Sequence, residues 1–195
     1  MHRVLHAVRL LGFGSATAIA RRFDLGHATV EDSLQDAQAR GWTTYSSFAG
    51  TSGWSLTEQG RTENERLLRA ELDEVPGGAG KVQQVYDEFL PLNALLQQAC
   101  TDWQLRPTPT DPLAANDHTD AEWDAGVRHE LEAVERALGG MVGQLSDVLP
   151  RFSGYDARFA AALRRGDVDR SDSDSCHRVW FELHEDLLAT LNLQR

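Results

Sequence analysis

Trp54-Ser-Leu-Thr-Glu-Gln-Gly-Arg61 is the stretch whose reading decides the fold of the first third of the chain. Trp54 to Leu56 read as a short β segment. Thr57 follows with a hydroxyl that can cap a helix, and Glu58 falls in the first turn, where the helix dipole favours an acid. Arg61, Leu67, Leu68 and Leu72 continue that helix. Upstream, Thr43 to Tyr45 form a second β segment. The intervening Ser46-Ser-Phe-Ala-Gly-Thr-Ser-Gly53 is rich in turn residues, so the two segments read as a hairpin.

Further upstream, Val4, Leu5, Val8, Leu10 and Leu11 supply the apolar stripe of a first helix, ended near Gly12 and Gly14. Ser15 caps a second helix whose Ala18, Ile19, Ala20 and Phe23 face inward. Asp24-Leu25-Gly26 makes a turn. A third helix runs from about Ala28 to Arg40 with Val30, Leu34 and Ala37 inward; Gly41 stops it and Trp42 begins a strand. Helix, helix, turn, helix, hairpin, helix is the order of a winged helix-turn-helix.

Three stretches carry a resemblance. Ala16-Thr-Ala-Ile-Ala-Arg-Arg-Phe23 and Thr29-Val-Glu-Asp-Ser-Leu-Gln-Asp-Ala-Gln-Ala-Arg-Gly-Trp42 are similar to the two helix-turn-helix helices of MarR-like and PadR-like regulators. Trp54 to Arg61 resembles their wing-to-helix junction. The match covers roughly the first third of the chain. The resemblance implies a dimer on paired DNA half-sites, with helix three in the major groove and the wing on the backbone or minor groove. By position it implies His27, Thr29, Glu31, Asp32, Gln35 and Gln38 as base-facing residues, and Arg21, Arg22 and Arg40 as phosphate contacts. An all-round basic surface is missing, however. Helix three carries Glu31, Asp32 and Asp36, and the tip from Ser46 to Gly53 has no Lys or Arg, which leaves few cations for counterion release. An acid can still accept from cytosine N4.

Charge is distributed unevenly. Of 19 Lys and Arg and 30 Asp and Glu, residues 1 to 70 hold eight and seven, and the remainder hold eleven and 23. The first part is thus at +1 and the second at −12, within a net charge of −11. An acidic second part repels phosphate, so DNA binding must rely on local geometry. No apolar run is long enough to span a membrane, no signal-peptide core opens the chain, and Cys100 and Cys176 make no disulfide framework. A cytoplasmic location is expected.

Asp73-Glu-Val-Pro-Gly-Gly-Ala-Gly80 reads as a linker. From Lys81 to Leu105 apolar residues recur at helical spacing, with Pro91 expected to kink or break the run near Leu90. Thr119 with Glu122 matches a capping box for a helix reaching about Leu149. On it, Trp123, Val127, Leu131, Val134, Leu138, Val142 and Leu145 form a packing seam, while Asp124, Arg128, Glu132 and Arg136 read as a solvated face. A helix ending at Gly166 and a last one from about Ser175 to Leu191 complete a bundle of about four. The expected fold is mainly α: a winged helix-turn-helix with a small β-hairpin wing over residues 1–75, then a helical bundle over 81–195 that dimerises.

Chemistry in the bundle is sparse. Asn116-Asp-His-Thr-Asp120 and Cys176-His177 with His184 are the sharpest polar groups. His177 and His184 are separated by a helical rise of about 10.5 Å, too far for one metal. No nucleophile elbow, phosphate loop or dinucleotide fingerprint occurs, so neither an enzyme nor a cofactor is expected. Trp103, Trp123 and Trp180, edged by His118, Glu182 and His184, could instead line an effector pocket for a small molecule. The reading is a DNA-binding regulator responsive to a ligand. The alternative is a winged helix that docks protein and not DNA.

Overall fold

A computed structural model describes residues 1–48, 50–170 and 174–193. Among the described residues the chain is mainly helical, with eight α-helices and one two-stranded antiparallel sheet. It divides into two units. One comprises Met1–Pro76 with the chain from Glu185 onward; the other is Gly77–His184.

The first unit holds α1 (His2–Leu11), α2 (Ala16–Arg22), α3 (His27–Ala39), β1 (Thr43–Phe48), β2 (Thr51–Leu56) and α4 (Glu58–Asp73). Local chemistry sets these boundaries. The Ser15 hydroxyl accepts from the Ala18 N–H at 3.2 Å and starts α2. The Thr57 hydroxyl accepts from the Gly60 N–H at 3.0 Å and donates to the Gly41 carbonyl at 2.6 Å, so one side chain caps α4 and closes the turn after α3. Gly60 has a steric reason to be glycine: a Cβ there would lie 1.8 Å from the Trp42 carbonyl oxygen.

The hairpin is longer than its sequence indicates. The ladder runs from Thr43 opposite Leu56 to Phe48 opposite Thr51, so most of the expected tip is paired strand, and β1 begins one residue after Trp42. Its base is pinned twice. Gly14 and Trp54 exchange backbone hydrogen bonds of 3.1 and 2.8 Å, and the Thr43 hydroxyl donates to the Leu34 carbonyl at 3.2 Å. Beneath lies one core of Val4, Ala7, Val8, Ile19, Ala20, Val30 and Leu34, with Phe23, Trp54 and Leu56 packed against it.

The end of the chain joins this core. α8 (Cys176–Leu191) carries Asp186, whose carboxylate sits 3.0 Å from His6 Nε2 on α1 with neither side chain exposed. The Thr190 hydroxyl donates to the Asp186 carbonyl at 2.6 Å, and the His6 ring stacks on Phe23 at 5.8 Å. The Arg9 side chain, 6% exposed, donates to Glu65 and to Glu185, both at 2.9 Å. The sequence places everything from 81 to 195 in one helical domain; the residues from Glu185 group instead with the first unit. The contacts that link them include the buried His6–Asp186 pair, 180 positions apart, and the bonds of Arg9 to Glu185.

The second unit contains α5 (Gly78–Gln104), α6 (Ala121–Val148), a 3-10 turn at Pro150–Phe152, α7 (Tyr155–Arg165) and α8 through His184. α5 packs along α6, and α6 against α7. Pro91 does not end α5, which continues for 27 residues. Pro91 is exposed, as is Asp87, whose carbonyl loses its donor; water can satisfy it. The cap of α6 is Asp120 and not Thr119: its carboxylate accepts from the Glu122 and Trp123 N–H groups, both at 3.1 Å, while the Thr119 hydroxyl donates to Asp117. The expected α6 seam is buried from Val127 to Leu145, with Trp123 half-buried at its start. Around Trp180 the core is aromatic, stacked on Phe89 at 4.5 Å and edge-on to Phe159 at 6.2 Å.

Two substitutions test this packing. His6→Ala takes the imidazole from a buried Asp186 carboxylate that also faces the Thr190 hydroxyl at 3.3 Å, and is expected to cost about 3 kcal/mol in urea unfolding. Gly60→Ala is expected to cost about 2 kcal/mol, because the new methyl meets backbone that cannot rotate away; loss of neither stability would contradict the described contacts.

Candidate functional site

α3 is buried on one side and open on the other. Val30, Leu34 and Ala37 are fully covered, while His27, Thr29, Glu31, Asp32, Gln35, Asp36, Gln38 and Arg40 are exposed. All of the base-facing candidates named from sequence therefore lie on the uncovered side. They are not all unengaged. His27 is held between the Thr17 hydroxyl at 3.2 Å and Glu31 at 3.6 Å. Asp32, Gln35 and Gln38 project beside them without a side-chain partner among the described residues.

Basic residues around that face have mixed fates. Arg21 is exposed on the last turn of α2. Arg22 is half-buried with its guanidinium 4.6 Å from the Phe23 ring centre. Arg40 lies 5.1 Å from the Trp42 ring centre. The Glu63 carboxyl is held below its ordinary range, first by its bonds to Arg66 at 2.8 and 2.7 Å, with the charge of Arg40 contributing. Arg9 is committed to Glu65 and Glu185. The open surface thus combines three acids, a few partly engaged arginines and a hairpin without charge. On that hairpin Phe48 is 86% exposed and Tyr45 is half-exposed, packed on Trp54 at 5.1 Å.

The six effector candidates separate into two sets of contacts. In the first, Trp103 meets His118 at 4.6 Å between ring centres, and the Trp123 indole N–H donates to the Asp102 carbonyl at 2.7 Å. Asp124 organises this set: it is buried, accepts from Asn116 Nδ2 at 2.9 Å, and lies 3.0 Å from His118 Nδ1. Asn116 also donates to the Trp103 carbonyl at 3.1 Å, and His118 adopts a left-handed backbone, φ 58. The sequence reads Asp124 as part of a solvated face; the two polar side chains before α6 are what draw it inward.

The second set is structural. The Trp180 indole N–H donates to Asn93 Oδ1 at 3.0 Å. His184 packs on Phe89 and Tyr86 at 5.0 and 6.2 Å. Glu182 is buried and accepts from Arg158 Nη1 at 2.7 Å, and Arg158 also grips Asp174 at 2.8 and 3.0 Å. Burial works to lower the Arg158 pKa, but the bonds to Asp174 and Glu182 outweigh it and raise it. These contacts account for Trp180 and Glu182 as members of a packed ion-paired core.

Beside the first set runs a groove of about 370 Å³, lined by Asp102, Asp120, Glu122, Trp123, Gly126, Val127 and Glu130. Sequence reasoning finds Trp123 and misses the rest. Glu122, Gly126 and Glu130 recur at four-residue spacing, a signal that reads equally as solvated helix surface. Among the described residues no three His, Cys, Asp or Glu are placed to hold a metal, and no helix is long and apolar enough to cross a membrane. No protein-family model, curated protein or solved structure matches the chain.

Cys100 and Cys176 are both buried, and that burial is the main cause raising both thiols to about 12. Near pH 8 each is almost wholly protonated, and the thiolate is the nucleophile. A disulfide reagent is expected to label neither in the folded protein at pH 8 and both after denaturation. Fast stoichiometric labelling of the native chain would contradict this placement.

Proposed function

We propose that the chain is a DNA-binding transcriptional regulator of the winged-helix type, acting as a homodimer, with its helical unit as the dimerising and ligand-responsive part. The observation that carries this reading is the uncovered outer side of α3 beside a pinned, uncovered hairpin. In a winged helix-turn-helix these are the recognition helix and the wing, and α2 is the helix that crosses the backbone. His27, Thr29, Gln35 and Gln38 are the residues proposed to meet base edges. Gln can pair with adenine N6 and N7, and Glu31 or Asp32 can accept from cytosine N4. Arg21, Arg22 and Arg40 are proposed to meet phosphate. A ligand that binds two arrangements of such a dimer unequally changes DNA affinity by that difference.

Charge shapes the expected behaviour. With Arg9 used internally and three acids on α3, few phosphates can be neutralised, and each one contributes about −0.9 to the slope of log affinity against log salt. Fluorescence anisotropy on duplexes from the protein's own upstream region is expected to give selective binding with a slope of magnitude roughly 3 to 6. Arg21→Ala with Arg22→Ala should weaken binding and flatten that slope by about 2. Absence of selective binding at low salt, with fold and dimer intact, would overturn the reading.

A second reading has its own observation. Phe48, 86% exposed on an uncharged hairpin, next to three exposed acids, also fits a winged helix that docks protein. Trp42 and Trp54 are half-buried, so that surface would rest on Phe48 and Tyr45.

A further inference from the structure

The groove on α6 has a shape that its acidity alone does not give. Glu122, Gly126 and Glu130 fall in one row, four residues apart, so the outer two are about 12 Å apart along the helix axis. At the centre of the row there is no side chain, and a Cβ built on Gly126 meets nothing within 4 Å. The missing side chain leaves a slot. Trp123 and Val127 form its apolar wall, and Trp123 is fixed there by its indole bond to the Asp102 carbonyl of α5.

The carboxylates lining it differ in their duties. Asp120 caps α6 and pairs with Arg106, and Asp102 accepts from Gln98 at 2.9 Å. Glu122 and Glu130 have no side-chain partner among the described residues. Glu122 lies in the first helical turn, where the dipole favours an acid; Glu130 lies two turns further on, where that explanation fails. Two unpaired carboxylates borne two helical turns apart, beside an open groove with an apolar wall, complement a chain with an ammonium group near each end and methylenes between. Methylenes can lie on indole and valine, and an ammonium near the indole face gains a cation–π contact.

We propose that this slot binds a linear aliphatic polyamine, with its ammonium groups on Glu122 and Glu130 and its methylene chain over Gly126 against Trp123 and Val127. If the regulator reading holds, this is its effector site; binding is measured without DNA, so the two proposals fail separately.

Spermidine is the probe, followed by the Trp123 indole resonance and by calorimetry on the full chain at moderate salt. Saturable binding is expected, with butylamine and Mg²⁺ at least tenfold weaker. Gly126→Leu fills the slot without changing charge, and leucine is a better helix former than glycine, so α6 should keep its structure by circular dichroism. It should weaken spermidine at least tenfold, as should Glu122→Gln with Glu130→Gln. No saturable binding at millimolar spermidine would overturn the proposal. So would binding that Gly126→Leu leaves unchanged, since that is only general attraction to a chain of net charge −11.

Discussion

Burying His6 against Asp186 sets the frame of the first unit. A polar pair without solvent is tolerable only if its hydrogen-bonding groups are satisfied, and removal of either member takes a partner from the other. Thr190 and Phe23 close the pair in, and Arg9 adds a partly buried bridge from α1 to both α4 and α8. α1 is therefore held in place by polar contacts on one side while its apolar stripe packs on α2 and α3. The hairpin and the outer side of α3 inherit their positions from that core through Gly14, Trp54 and Thr43.

The same pairing has an electrostatic consequence. Arg9 is one of only eight basic residues in the first seventy, and it is spent inside the fold. A surface proposed to read DNA is thereby left with fewer cations than a count of the sequence implies. Affinity would have to come from fit to base edges and from neutral contacts of the hairpin, and selectivity would carry a larger share than the general attraction of phosphate. The acidic second unit is consistent with a division of labour: its carboxylates oppose nucleic acid and can attract cations.

What was legible in the sequence was local. Ser15 and Thr57 act as caps within three residues of themselves, and apolar periodicity marks α3, α6 and α8 to within a residue or two of their observed ends. Pro91 misleads because its penalty depends on whether water can reach the freed carbonyl, which only burial decides. Asp124 misleads because a four-residue charge rhythm cannot register Asn116 and His118 folding back over it. Thr119 and Asp120 compete for one cap, and the adjacent carboxylate, which is the stronger acceptor, wins. The residues from Glu185 meet partners such as His6, 180 positions from Asp186, and Arg9, contacts for which a single sequence offers no signal. Among the site residues, α3 exposure follows from periodicity, while the separation of Trp103 and His118 from Trp180 and Glu182 depends on tertiary partners.

The central claim is that the outer side of α3 reads sequence in duplex DNA. It is tested most directly by selecting duplexes from a random library on the purified protein and on Gln35→Ala/Gln38→Ala. The account predicts a motif of paired half-sites that the wild-type chain enriches and the variant loses or alters at fixed positions. Enrichment of no motif by a folded wild-type chain, or of one motif indifferent to both glutamines, would contradict it.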